Sequence, residues 1–359
     1  MKTRGKNVIL FVALLLTTAC SNQTQLTPAQ ELIKIINAGI EQEVIMLGHQ
    51  DSPVYGHSWS YEPNRSDVLE MVSDYPAIIG WELGDLEFGN EKNLDGVPFD
   101  LMRSEIINQH KRGGINTISW HTNNPNGGNA WDEEAGVVTS ILEGGANYEK
   151  FQTYLAYTAD FLASLTDEDG ELIPIIFRPW HEHNGNWFWW GEKWCTHQEY
   201  RQLWDMTYDY MTARGLDNLV WCYMPAADAP DKTPEVDRFD MVGIDIYQRN
   251  HNVENYLRDL KSGIAMLKEY QAKYNKPITI SETGDESVGT ENWWSEVLLP
   301  AIENEPISYV LLWRNAWDKP EHFYCAYKGH STEADFIKFV DSPRIITAKE
   351  LKAITEKSK

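Results

Sequence analysis

The chain has 359 residues, with 54 Asp and Glu against 31 Lys and Arg, a formal charge of −23, and 15 tryptophans. So acidic a chain repels nucleic acid and has no basic patch to hold it, which excludes that partner and favours a neutral one. A tryptophan offers a flat apolar face with an N–H at its edge, and a sugar ring offers a flat C–H face rimmed by hydroxyls, so the abundance of Trp points to sugar.

From the N-terminus, Lys2, Arg4 and Lys6 precede an apolar run over 8–16, followed by Thr17-Thr18-Ala19-Cys20. This is the layout of an export signal, and the apolar run is too short to span a bilayer. A Cys directly after a small residue predicts cleavage after Ala19 and lipidation of Cys20, although Thr17 stands where a lipoprotein box prefers Leu. The expected organisation is a signal peptide over 1–19 and a single catalytic domain over 20–359. The mature protein is expected at the outer membrane, anchored through Cys20. Residues 21–25 are polar without an acidic run, which favours the periplasmic face over the cell surface. Loss of the three leader cations takes the charge from −23 to −26.

Cys195, Cys222 and Cys325 remain, an odd number at wide spacing and so no disulfide framework. Cys222 lies in an apolar run and reads as a small buried hydrophobe. The spacing leaves a Cys195–Cys325 bridge open.

Apolar segments rich in β-branched residues recur at 44–48, 78–83, 115–120, 173–178, 219–224, 241–247, 278–281 and 309–313. They are continuously apolar rather than alternating, as strands covered on both faces are. Helical stripes lie between them: Phe151, Tyr154, Leu155, Leu162 and Leu165; Tyr200, Leu203, Trp204 and Met211, stopping at Gly215; and Val253, Tyr256, Leu257, Leu260, Ile264 and Leu267. Eight such repeats predict a (β/α)8 TIM barrel in one domain, expected to act as a monomer.

Polar or aromatic residues follow nearly every strand: His49-Gln50, Glu82, His121, 181–184, Asp228, 245–247, Glu282 and Trp313-Arg314. The C-terminal ends of barrel strands build the active site in this fold, so these residues are placed to converge. Glu182 follows the fourth strand and Glu282 the seventh, nearly opposite across the mouth. Two carboxyl groups facing each other can cut a glycosidic bond, one as acid and one as nucleophile. Glu182 lies in an aromatic run, which suits the acid. Glu282 would need donors, for which Tyr247 and Arg178 are candidates. The run from Trp187 to Trp194 reads as a surface loop, because Asn184, Gly185, Asn186 and Gly191 mark turns.

These residues carry a resemblance. The segment His181 to Gly191, with its His-Glu-x-Asn-Gly-x-Trp-Phe-Trp-Trp-Gly pattern, resembles glycoside hydrolase family 26, best known for endo-β-1,4-mannanases, and the likeness covers nearly the whole mature chain. By position, Glu182 resembles the family's acid/base and Glu282 its nucleophile. His121 resembles a histidine that contacts sugar hydroxyls, and His181 and Trp187 the walls beside the acid. Tyr247 resembles the tyrosine holding the nucleophile, Trp313 the platform under the cleaved sugar, and Arg314 a contact to the next sugar outward. The resemblance implies a retaining outcome, no cofactor, and mannan, galactomannan or manno-oligosaccharide as substrate. His183 departs from the family, which often has Met there; a side chain at that position can face away from the cleft. The loops over 123–138 and 318–332 could wall off one end of the cleft and favour mannobiose as product.

Two other readings stand beside this one. A relative could cut β-glucan or β-1,3-xylan, and a non-catalytic glycan-binding lipoprotein would use the same aromatic platforms. A metal site at His181, Glu182 and His183 is not expected. Strand alternation would put the two histidines on one face and the glutamate opposite, and no further Cys or His stands at ligand spacing.

Overall fold

The computed structural model of the chain describes residues 26–227 and 236–358. Cys20 with its leader, and Asp228, lie outside the described residues. Eight parallel strands form the expected closed barrel. They are β1 (Ile45–Gln50), β2 (Ile78–Glu82), β3 (Ile115–Trp120), β4 (Ile175–Pro179), β5 (Leu219–Tyr223), β6 (Met241–Gln248), β7 (Ile278–Asp285) and β8 (Ile307–Leu312). β8 closes the ring against β1, with Met46 opposite Tyr309 and His49 opposite Leu312.

The three helical stripes fall on α5 (Tyr148–Ala163), with Leu165 two residues past its end, α6 (His197–Ala213) and α7 (Val253–Tyr274). α6 begins in a capping box at Thr196 and ends two residues before Gly215, whose φ is 77°. The other helices are α1 (Pro28–Glu41), α2 (Asp67–Val72), α3 (Phe99–Arg112), α4 (Val137–Ile141), α8 (Leu299–Ile302), α9 (Glu333–Val340) and α10 (Ala348–Ser358).

Alternation along each strand sorts the apolar side chains into two layers. Met46, Ile78, Ile176, Val220, Cys222 and Leu311 fill the barrel and meet Leu32, Ile36, Leu351 and Ile354 of α1 and α10 at its floor. Leu47, Trp81, Trp120, Phe177, Trp221 and Ile244 point outward and pack beneath the helices. Burial of both faces explains why the strands read as unbroken apolar runs.

The reading of the tryptophans needs correction. Trp59, Trp81, Trp120, Trp180, Trp189, Trp190, Trp204, Trp221, Trp293 and Trp294 are all buried, so most of the tryptophan serves the core rather than sugar. Trp189 and Trp190 are among them, although the turn residues around them read as a surface loop. Their indole N–H groups are satisfied inside, by Thr122 O and His181 O at 2.8 Å each. Cys195, Cys222 and Cys325 are buried free thiols, so the Cys195–Cys325 bridge does not form.

Candidate active site

Glu282 faces the barrel mouth because β7 carries a bulge. Against β6 the register runs Ile244 to Ile280, then Asp245 to Glu282; against β8 it runs Val310 to Ile280, then Leu312 to Thr283. Both neighbours thus find one extra residue in β7. Ile278 and Ile280 pack outward, and strict alternation would send Glu282 the same way. The bulge turns Glu282 inward beside Ser281, as bulges near active sites do.

Two donors hold Glu282, which is 3% exposed. Arg178 Nη1 donates to Oε1 at 2.8 Å and the Tyr247 hydroxyl donates to Oε2 at 2.8 Å. Occupation of both oxygens by donors suits a carboxylate. Burial, then the nearby Glu282 charge, pushes the Tyr247 phenol well above its ordinary range, so it remains a donor.

Glu182 is placed by a strained turn. β4 ends at Pro179, and both Trp180 (φ 57°) and Glu182 (φ 52°) adopt left-handed backbone, a cost on the order of 1–3 kcal/mol each that gathers at functional sites. The turn is pinned from outside. Glu182 N–H donates to Met224 O at 2.8 Å, and Asn184 exchanges two hydrogen bonds with the Ala226 backbone, at 2.7 and 2.8 Å. Trp187 Nε1–H donates to Glu182 Oε2.

The same backbone corrects the alternation read for His181 and His183. This segment is a turn, not strand, and the two imidazoles diverge. His181 joins His121, Phe188 and Trp190, whereas His183 packs on Tyr200 and Tyr223 and contacts the Tyr223 hydroxyl at 2.9 Å. His183 therefore faces away from the cleft, as the departure at that position allows.

One cavity of about 380 Å³ is lined by both glutamates and by every sequence-predicted substrate residue: His121, His181, Trp187, Tyr247, Trp313 and Arg314. A second, of about 300 Å³, shares Glu182, Trp187, Tyr247 and Arg249 with it and continues along Asn250, Asn255 and Arg258. Together they make a cleft that passes the carboxylates. A Glu182 oxygen and a Glu282 oxygen lie within 4.8 Å of each other, close to the separation of about 5–5.5 Å that double displacement requires.

Sequence reasoning left three contributors without a role. Asp245 presents a third carboxylate oxygen within 4.8 Å of the other two. Burial, then the Glu282 and Glu182 carboxyls, raises its pKa well above the ordinary value, so a third negative charge is disfavoured beside the pair. Glu82 lies behind His121. Asp245 and Glu82 both belonged to the ring of polar residues at strand ends, which was the available signal. Trp131, 47% exposed, also lines the cavity and stacks near His121 with ring centres 5.0 Å apart. It sits in a long loop, where spacing carries no signal.

The profile of glycosyl hydrolase family 26 matches residues 21–298. The chain belongs to that family. The family match stops before β8, yet β8 supplies Trp313 and Arg314 from its C-terminal end. A mannan endo-1,4-β-mannosidase of Bifidobacterium adolescentis is 28% identical over 80% of the chain, which spans 32% of that protein's length. One from Bacillus subtilis is 28% identical over 73% of each chain. The solved structure of a family 26 β-mannanase from Bacteroides ovatus superposes with a TM-score of 0.85 at 39% identity, covering 90% of this chain and 95% of that one. The (β/α)8 fold is thus shared with this family 26 structure.

Proposed function

We propose that the chain is a retaining, endo-acting β-1,4-mannan hydrolase that cleaves mannan, galactomannan or manno-oligosaccharides. The observation that carries this reading is the Glu182–Glu282 pair in a cleft walled by His121, Trp131, Trp187 and Trp313, in a family member similar to mannanases. Glu182 gives its proton to the glycosidic oxygen as that oxygen leaves C1. A Glu282 oxygen attacks C1 from the other face, so the C1–O bond to the leaving sugar is exchanged for an ester bond to Glu282. Water then attacks C1, Glu182 takes the water's proton, and Glu282 departs as carboxylate, leaving the β configuration restored. Tyr247 and Arg178 stabilise Glu282 as nucleophile and again as leaving group.

Release of reducing ends from locust-bean gum, barley β-glucan and β-1,3-xylan tests the reading. Release from the mannan alone supports it. Faster release from glucan or xylan favours a relative of different specificity, and none from any favours a glycan-binding protein.

The structure favours short products. Asp95 lines the cleft and pairs with Arg314 Nη2 at 3.1 Å. Beside it the Tyr61 hydroxyl donates to Gly96 O and Trp317 Nε1–H to Asp95 O, while His57 contacts Pro320 O. The loops after β1, β2 and β8 are thereby joined into a rim at the Arg314 end, which fits release of mannobiose. The time course on mannohexaose tests this, with early mannobiose expected and an even spread of products against it.

The layout before Cys20 supports a lipid-anchored, exported protein, and the polar residues 21–25, without an acidic run, support the periplasmic face. No helix among the described residues is long and apolar enough to cross a membrane. Labelling with radioactive palmitate, lost in Cys20→Ser, tests the anchor.

A further inference from the structure

Glu82 closes β2 at 0% exposure and is the most heavily hydrogen-bonded carboxylate behind the cleft wall. Its Oε1 accepts from Gly84 N–H at 2.6 Å and His121 N–H at 2.7 Å. Its Oε2 accepts from the Ser119 hydroxyl at 2.7 Å and faces His121 Nδ1 at 2.7 Å. Ser119 is its cross-strand partner on β3, so register builds the arrangement. A carboxylate so surrounded can only accept, and His121 Nδ1 must therefore carry a hydrogen.

The other His121 nitrogen continues the chain. Its Nε2 lies 3.1 Å from His181 Nε2, with the rings nearly perpendicular at 81°. Two ring nitrogens bond only if one carries a hydrogen and the other does not. Both imidazoles line the cavity with Glu182 and Glu282. We propose that Glu82 is a positioning residue for glycoside cleavage: through His121 it sets the hydrogens and charge of the two-imidazole wall that meets the sugar. This rests on the cleft being a glycoside hydrolase site.

The groups facing His121 agree. Glu82 comes from β2, Asp95 from the loop after β2, Glu282 from β7 and His181 from the turn after β4, with Arg314 beside Asp95. Burial alone would lower the His121 pKa; the Glu82 charge and hydrogen bond, then Glu282 and Asp95, outweigh it and raise the pKa above 6.5. His181 goes the other way, well below 6.5, through burial and then the charges of His121, Arg178 and His183. When His121 is cationic it donates from Nε2 to His181, whose own hydrogen is then on Nδ1; when His121 is neutral, with its hydrogen held on Nδ1 by Glu82, His181 donates instead.

Glu82→Gln tests the proposal with nearly unchanged shape. The amide oxygen can still accept from the two backbone N–H groups, but the amide nitrogen now donates towards His121 Nδ1. That reverses the bond, moves the His121 hydrogen to Nε2 and removes the reason for its charge. We expect kcat/KM on mannotetraose to fall about 100-fold, as for a displaced wall of the site, and the alkaline limb of its pH profile to move to lower pH. In ¹H–¹⁵N spectra the wild-type His121 ring should titrate above 6.5 and keep its Nδ1 hydrogen when neutral, whereas in the variant it should titrate lower and keep its hydrogen on Nε2. An activity loss with an unmoved alkaline limb would reduce Glu82 to a structural role. A wild-type His121 that titrates below 6.5, or that carries its neutral-form hydrogen on Nε2, would overturn the proposal even if the variant fails to fold. Inactivity of the wild type on every β-glycan would sink the hydrolase reading and leave the titration result standing.

Discussion

Glu182 and Glu282 arrive at the barrel mouth by different devices, a left-handed turn after β4 and a bulge within β7, yet bring carboxylate oxygens within 4.8 Å of each other. Asp245, opposite Glu282 in the register, sits against both, and burial followed by their carboxyls raises its pKa. Removal of the attacking group should be the most damaging change. Glu282→Ala is expected to lower kcat by several orders of magnitude while mannohexaose still binds, as seen by calorimetry. Turnover near the wild-type rate would mean that another group attacks.

Glu182→Ala should discriminate between leaving groups. A poor leaving group needs a proton and a good one does not. The variant should therefore lose far more activity on mannan than on an aryl β-mannobioside with an acidic phenol. Equal losses on both substrates would count against Glu182 as the acid.

Arg178 is wholly buried with Glu282 on its Nη1. Arg178→Met keeps much of the volume but leaves Glu282 without its cation. Breaking a buried ion pair from one side costs about 3–5 kcal/mol, which should appear as a lower urea midpoint with an unchanged slope. A midpoint within error of wild type would show that the pair contributes little to stability.

The barrel was legible in the sequence because burial on both faces leaves a continuous apolar signal, and all eight strands carry it. Glu282 was legible because it directly follows such a run, and Glu182 because it stands four residues after another, in an aromatic segment. The β7 bulge was not, since nothing in Ile278-Thr279-Ile280-Ser281-Glu282 marks an extra residue and only the pairing with β6 and β8 reveals it. The destination of the tryptophans was equally hidden: Trp187 and Trp189 stand two apart in one run, but one meets Glu182 and the other is sealed in the core. The part of Asp245 depends on burial and on two charges distant in the chain.

The Glu82–His121 pair should leave a mark on stability as well as on rate. Glu82 has its pKa lowered from 4.5: burial opposes ionisation, but the His121 charge and the hydrogen bonds outweigh it. Its contribution is complete above 4.5 and lost as pH falls through the lowered value. His121 is raised from 6.5, so its contribution is complete below 6.5 and lost as pH rises through the raised value. The stability advantage of wild type over Glu82→Gln should therefore peak between pH 4.5 and 6.5 and shrink on both sides. Urea midpoints of the two proteins across pH 3 to 9 check this; a difference independent of pH would contradict it.

The central claim is that a Glu282 oxygen bonds to the sugar during turnover. The direct measurement is trapping with an activated 2-deoxy-2-fluoro-β-mannobioside, followed by peptic digestion and mass spectrometry. The account predicts one added fluoro-mannobiosyl group on the peptide containing Glu282, and none in Glu282→Ala. A label on any other residue, or rapid turnover of the reagent with the anomeric configuration inverted, would contradict it.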